Sequence, residues 1–178
     1  MLDNELIELF LPVINAGLVA RGFAGVAVKQ AYQPTQQGAV STPVVYFSKV
    51  GDRRLGWVDR ENVFDDFAQE MEHTEAQCYE TTFQFNAYVV ANPGNPSYTA
   101  SDLCNTVAQI LQADSTLQTF ATVGVGVLRI GDVRNIYFVD DRDRHEASPS
   151  FDIVFTHKQI FTNVDPVVSS VDYAIYPI

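Results

Sequence analysis

Apolar and polar residues alternate most regularly along residues 79–90, YETTFQFNAYVV. The apolar set on one side of this run is Tyr79, Phe83, Phe85, Ala87 and Val89. A period of two residues is typical of a strand that is buried on one face. Residues 151–161, FDIVFTHKQIF, alternate in the same way. The pattern therefore predicts two half-buried strands.

Shorter β-branched and aromatic runs predict further strands at 26–31, 43–58, 123–130, 134–139 and 168–178. Within the second of these runs, Gly51 and Asp52 predict a hairpin turn. Residues 59–75, DRENVFDDFAQEMEHTE, are acidic and only weakly periodic. We therefore expect a loop with a short helical turn in that segment.

Two segments show the helical spacing of apolar residues. The first runs over about 3–21, with Asp3 as the expected N-cap and Pro12 expected to kink or split the helix. The second runs over about 99–113, where Thr99 and Asp102 match a capping box. A further short helix is predicted over 115–121.

These elements predict one domain over residues 1–178 of the α+β class. We expect a largely antiparallel β-sheet with the two main helices packed on one face and with long hairpins and loops. A chain of 178 residues with 47% apolar residues can bury a sizeable core, and no internal repeat is visible.

The net charge and the types of segment in the chain narrow the range of possible functions. The formal net charge of −11 opposes adhesion to nucleic acid or to anionic membranes. No apolar run approaches the roughly 20 residues of a membrane span, and the N-terminal residues do not resemble a secretory signal. We therefore expect no membrane partner and synthesis in a cytoplasm. Cys78 and Cys104 have neither zinc nor redox spacing, so each is expected to be a small core residue.

The candidate chemistry lies in residues 140–146, DDRDRHE. Its possible metal ligands are Asp140, Asp141, Asp143, His145 and Glu146. Arg142 and Arg144 alternate with these acids, which is more typical of solvated, self-paired loop residues. No nucleophile elbow, phosphate-binding loop or HExxH motif occurs. We expect no catalytic residue, cofactor or metal, although a metal-dependent hydrolase using this loop stays an alternative.

Several separated segments together resemble the neck and tail-terminator proteins of tailed bacteriophages, often called gateway proteins. These segments are QPTQQG, GDRRLGW, YETTFQFNAYVV, TASDLCNTVAQILQAD and RIGDVRNIYFVDDRDRHEASPSFDIVFTHKQ. The resemblance covers nearly the whole chain from about Tyr32 onward. The helix at the N-terminus matches least well.

The resemblance implies a non-enzymatic virion protein at the head-to-tail junction, made in the host cytoplasm. Such a protein forms a homo-oligomeric ring, usually a hexamer, that terminates the tail tube and docks it to the head connector. Its implied partners are copies of itself, connector or adaptor proteins, and tube and sheath proteins, with DNA passing through the lumen without specific binding. A head-completion or stopper protein and a monomeric binding module stay as alternatives.

In this context the uncharged segment over 33–42 is expected to contact a neighbouring subunit or to line the lumen, because uncharged side chains cost less to desolvate than charged ones. Its first residues are Gln33, Pro34, Thr35, Gln36, Gln37 and Gly38. Tyr173 and Tyr176 near the end of the chain are further interface candidates. Acidic residues, either those of the loop over 140–146 or those over 65–75, are expected to face the channel, where an anionic wall lets DNA slide.

Overall fold

The computed structural model describes residues 1–31, 43–89, 98–139 and 145–166. The helices are α1 (Asp3–Ala20), α2 (Ala100–Gln112) and α3 (Asp114–Thr122). The strands are β1 (Ala27–Gln30), β2 (Val44–Asp65), β3 (Glu70–Tyr88), β4 (Gly126–Ile130), β5 (Arg134–Val139) and β6 (His145–Pro166). No helix within these ranges is long and apolar enough to cross a membrane.

The six strands form one sheet in the order β1, β2, β3, β6, β4, with β5 pairing farther along the same strand β6. Only β1 and β2 among these pairs are parallel, and the others are antiparallel. The sequence prediction of an α+β fold with a largely antiparallel sheet is therefore confirmed.

The core lies between α1, α2 and one face of the sheet. Phe10 of α1 is 1% exposed, and its ring lies 5.2 to 5.7 Å from the rings of Phe47, Phe83, Phe85 and Phe155. The alternation seen in the sequence explains this arrangement, because every second residue of β3 and β6 points towards the helices. Both strongly alternating segments were predicted correctly.

The predicted bounds of the three helices agree with the structure to within a few residues. Thr99 and Asp102 form the expected capping box, since the Thr99 amide donates to the Asp102 carboxylate at 2.9 Å and the Asp102 amide donates to Thr99 Oγ1 at 3.1 Å. The N-cap of α1, however, is Leu2 rather than Asp3, and its amide donates to Glu5 Oε2 at 2.6 Å. Pro12 does not split α1, which is continuous through it.

Two predictions between residues 51 and 75 were wrong. Gly51 and Asp52 form no hairpin turn, because β2 continues through them with a bulge between Lys49 and Gly51. Residues 59–75 form the outer parts of β2 and β3 around a turn at 66–69, instead of a loop. This segment has no strong apolar alternation because neither of its faces packs against the core.

Candidate subunit interface

The outer parts of β2, β3 and β6 form a three-stranded extension that we call the ribbon, residues 55–78 and 158–166. None of its residues belongs to the hydrophobic core cluster of the described residues. Its β6 part alone extends about 30 Å, at about 3.3 Å per residue. The register between β3 and β6 is unbroken from Asn86 opposite Ser150 to Glu70 opposite Pro166. The ribbon is thus a regular continuation of the sheet beyond its own core.

Large apolar side chains on the ribbon are exposed to solvent. Trp57 is 96% exposed, Phe67 is fully exposed at the turn, and Phe161 is 68% exposed. The aliphatic residues Val63, Ile160 and Val164 are about half exposed. Apolar groups clustered on one protruding element are typical of a surface that contacts another protein. The ribbon is therefore the candidate interface of this chain.

The register divides the ribbon into two faces. One face continues the helix-covered side of the sheet and carries Arg60, Asn62, Phe64, Met71, His73, Glu75, Phe161, Asn163 and Asp165. The opposite face carries the aliphatic residues Val63, Ala76, Ile160 and Val164 among acidic and hydroxyl side chains.

Polar contacts cross the strands on the helix side of the ribbon. Arg60 Nε donates to Glu75 Oε1 at 3.0 Å. His73 Nδ1 lies 2.6 Å from Asn62 Oδ1, and His73 Nε2 lies 3.6 Å from Asp165 Oδ2. Exposed pairs of this kind contribute little stability each, but they favour one strand register over others.

The ribbon is strongly acidic. It carries eight carboxylates against the two basic residues Arg60 and Lys158, and so accounts for more than half of the formal net charge of −11. The acidic residues predicted to face a channel, those over 65–75, lie on the ribbon around its turn. At that turn Asp65 accepts hydrogen bonds from the amides of Phe67 and Ala68, which lower the pKa of its carboxyl.

A hydrogen-bonded network lies at the base of the ribbon, where it leaves the core. Lys49 Nζ lies 2.7 Å from Asp3 Oδ1 of α1 and 2.6 Å from Asp52 Oδ2 of β2. Thr81 Oγ1 donates to Asp52 Oδ1 at 2.7 Å and lies 2.9 Å from His157 Nε2. The network therefore connects the start of α1 to all three strands of the ribbon.

For both charged members of this network, hydrogen bonds and nearby charges outweigh the effect of burial on the pKa. For Lys49 burial alone would lower the pKa, but hydrogen bonds and charge from Asp3 and Asp52 outweigh it and raise the pKa. For Asp52 burial would raise the pKa, but hydrogen bonds from Lys49 and Thr81 outweigh it and lower the pKa. The geometry thus favours the charged forms of this pair.

His157 behaves differently, because its ring is 8% exposed. Thr81 has a single hydroxyl hydrogen, which goes to Asp52, so His157 donates from Nε2 to Thr81 and its Nδ1 is unprotonated. Nδ1 is buried without a hydrogen-bond partner among the described residues. Burial first, and then the positive N-terminus, lower the pKa of His157. His157 is therefore a neutral structural residue, stacked on Tyr79 with ring centroids 5.8 Å apart.

Most of the predicted site residues lie outside the described residues. These are Gln33, Pro34, Thr35, Gln36, Gln37, Gly38, Asp140, Asp141, Arg142, Asp143, Arg144, Tyr173 and Tyr176. The backbone of His145 begins β6 and pairs with that of Val139 in β5. The roles of all these predicted site residues stay predictions. Within the described ranges no three His, Cys, Asp or Glu side chains are grouped as metal ligands.

The sequence prediction did not include the ribbon as a candidate interface. The signal that could have found it is the occurrence of Trp57, Phe64 and Phe67 in a segment that is otherwise acidic and polar. Cys104 lies on α2 and is buried as predicted, and burial raises the pKa of its thiol to about 12. Cys78 lies exposed on the ribbon, so its prediction as a core residue was wrong.

A family model described as "E217 gateway protein gp29" matches residues 5–167. Nineteen chains of solved structures match as well. One of them is the sheath/tube terminator of the extracellular contractile injection system PVC in its extended state, with 12% identity and a TM-score of 0.49. That match covers 97% of this chain, which spans 64% of the terminator's length. The search of curated proteins gave no match.

Proposed function

We propose that this chain, which belongs to the E217 gateway protein gp29 family, is a structural virion protein of the phage head-to-tail junction. The family match confirms the resemblance to gateway proteins seen in the sequence. In this proposal copies of the chain form a ring, with six as the expected number. The ring terminates the tail tube, docks to the head connector, and lets DNA pass through its lumen.

The observation that carries the proposal is the ribbon with its uncovered apolar side chains. Trp57, Phe67 and Phe161 are each more than two thirds exposed. Burying one such ring on association removes 150–250 Å² of surface, worth about 25 cal/mol per Å² in transfer free energy. Contact between neighbouring copies would therefore supply a large favourable term that the separate subunit lacks.

The proposal also accounts for the acidic ribbon. If its turn borders the channel, its carboxylates repel the phosphate backbone and prevent counterion-release binding. DNA would then slide past the ring without adhering to it. The head connector would bind one side of the ring, and tube and sheath proteins would bind the other.

Native mass spectrometry and negative-stain microscopy of the purified protein at two concentrations test the proposal. We expect closed rings at the higher concentration, and labelling with a specific antibody at the neck of intact virions. The double variant Trp57→Ala with Phe161→Ala should dissociate the ring while the subunit stays folded.

The control is Val19→Ala, which removes an apolar side chain that is 63% exposed from α1, away from the ribbon. It should form rings as the wild type does. A wild-type protein that stays a single subunit at every concentration, and that is not found at the neck of virions, would overturn the proposal.

A further inference from the structure

Both outer edges of the ribbon are unpaired within the described residues. On one side β1 covers β2 only at Val44, Val45, Tyr46 and Phe47. On the other side β4 covers β6 only as far as Thr156. Unpaired strand edges present backbone donors and acceptors that another strand can complete.

Two hydrogen bonds show which backbone groups of β6 point outward. The Asp152 carbonyl accepts from the Gly131 amide at 2.8 Å, and the Lys158 carbonyl accepts from the N-terminal amine of Met1 at 2.8 Å. Both contacts lie on the side of β6 away from β3. Because the register with β3 is unbroken, every even-numbered residue from Asp152 onward points the same way. The outward set beyond Lys158 is Ile160, Thr162 and Val164.

The outward groups of β2 follow from its pairing with β3. The odd-numbered residues of β3 form backbone hydrogen bonds with β6. The even-numbered residues of β3 therefore form backbone hydrogen bonds with β2. Their partners on the ribbon, Asp59, Glu61, Val63 and Asp65, therefore point inward. The outward groups of β2 are those of Arg60, Asn62 and Phe64.

These two edges match each other. Each offers three outward residues in a stretch whose register with β3 is regular, and β2 and β6 run in the same direction because each is antiparallel to β3. Their faces match as well. Phe64 and Phe161 lie on the helix side, whereas Val63 lies on the same opposite face as Ile160 and Val164.

Charge favours the same pairing. Lys158 is the basic residue of the β6 edge, and Asp59 and Glu61 lie on the corresponding face of the β2 edge. Within one subunit Lys158 Nζ is 3.9 Å from Asp59 Oδ2 across β3, a loose contact between exposed side chains. A neighbouring copy would bring a second pair of carboxylates next to Lys158.

We propose that the outer edge of β6 at Ile160–Val164 pairs in parallel with the outer edge of β2 at Arg60–Phe64 of a second copy. This inference rests on the proposed ring. The contact is heterologous, since each copy uses one edge towards each neighbour, and such contacts form a ring when the rotation between neighbours closes. The ribbons then form one continuous sheet around the axis, in which the edges at 60–64 and 160–164 are covered.

Proline substitution at the edge tests the pairing. In Ile160→Pro the lost amide hydrogen points away from β3, so the subunit keeps its own strand pairing, as proline is tolerated on outer edges. The proline ring blocks a second strand. We expect the concentration at which half of the rings dissociate to rise by roughly tenfold or more. Ile160→Ala, which keeps the amide hydrogen, is the matched control and should shift this concentration much less than the proline.

A cross-link gives an independent test in a Cys78→Ser background. Thr162→Cys in one copy and Val63→Cys in another lie on the same face of the proposed joint sheet and should form disulfide-linked dimers on oxidation. Within one subunit β3 separates these positions by two strand spacings, about 9.6 Å, which is too far for a disulfide. Thr162→Cys with Asn62→Cys places the thiols on opposite faces and should not link.

The outcomes separate the two proposals. If Ile160→Pro forms rings as readily as the wild type, and positions 162 and 63 do not link, the edge pairing is overturned. The proposed ring then still stands. Absence of rings in the wild type would overturn the proposed function itself. Loss of rings in Ile160→Pro together with the specific cross-link would support both.

Discussion

Thr81 and His157 share a buried hydrogen bond of 2.9 Å, between Thr81 Oγ1 and His157 Nε2, on neighbouring strands at the base of the ribbon. The same hydroxyl donates to Asp52, so one side chain joins β2, β3 and β6. This contact lies where the sheet ceases to be covered by helices. It therefore bears on how firmly the ribbon is held to the core.

Thr81→Val tests the contribution of this hydroxyl to stability. Valine keeps the shape of the side chain but leaves the histidine donor and one acceptor site of Asp52 unpaired, which should lower the free energy of unfolding by about 1–3 kcal/mol. Urea denaturation measures the change. Thr74→Val on the same strand is the control, because its bond to Thr162 at 3.2 Å is exposed. An equal effect of the two substitutions would contradict the prediction.

The buried His157 makes stability depend on pH. Its pKa is lowered in the folded state, so below about 6.5 the unfolded chain binds the proton more readily than the folded chain. The free energy of unfolding should therefore fall as the pH drops from 7 to 5. Asp52 adds nothing to this slope, because its carboxyl has a lowered pKa and stays charged over the whole window.

His157→Gln removes the titrating group while its amide still donates to Thr81, so we expect a flatter slope between pH 7 and 5. Thermal denaturation across this range measures it. His73→Gln on the exposed ribbon leaves His157 intact and serves as the matched control. A wild-type slope that persists in His157→Gln would show that another group titrates.

Phe10 and Phe67 should separate stability from assembly. Phe10→Ala removes the ring that touches four other aromatic rings in the core and should cost about 3–5 kcal/mol of unfolding free energy. Phe67→Ala removes a fully exposed ring and should change stability by less than about 0.5 kcal/mol. Urea denaturation of both variants at a concentration where the protein is monomeric gives the comparison. A large loss in Phe67→Ala would mean that the turn of the ribbon is packed.

Trp57 provides a direct optical test of the interface. It is the single tryptophan of the chain and is 96% exposed in the subunit. If neighbouring copies cover it, its fluorescence emission should shift to shorter wavelength as the protein concentration rises. The shift should be absent in a variant that stays monomeric. Emission that is independent of concentration while rings form would place Trp57 outside the interface.

Gly17 and Ile110 determine how closely α1 packs on α2. A Cβ atom at Gly17 would lie 2.7 Å from Ile110 Cγ2, so Gly17→Ala should destabilise the protein by about 1–3 kcal/mol despite the higher helix propensity of alanine. The double variant with Ile110→Ala removes the three side-chain atoms nearest to that Cβ and should cost less than the two single changes added together. Additive losses in denaturation would contradict direct contact.

The sequence by itself determined the elements whose residues face the core. Phe83, Phe85, Ile153 and Phe155 alternate because one face of their strands is buried, and the spacing of Leu6, Phe10, Ile14 and Leu18 shows the face of α1. It also determined the capping box of α2, which depends on two residues three positions apart. Each of these features is local, so it is legible without knowledge of the fold.

Tertiary structure alone decided the course of residues 49–78. Gly51 and Asp52 have turn chemistry, yet they pair with Thr82 and Thr81, and β2 continues through them after a bulge between Lys49 and Gly51. Beyond that point the ribbon buries neither face, so its sequence has no regular alternation to reveal a strand. Its structure depends on backbone pairing with β3 and β6, and β6 lies some 90 residues farther along the chain. Such long-range pairing leaves no periodic signal in the segment itself.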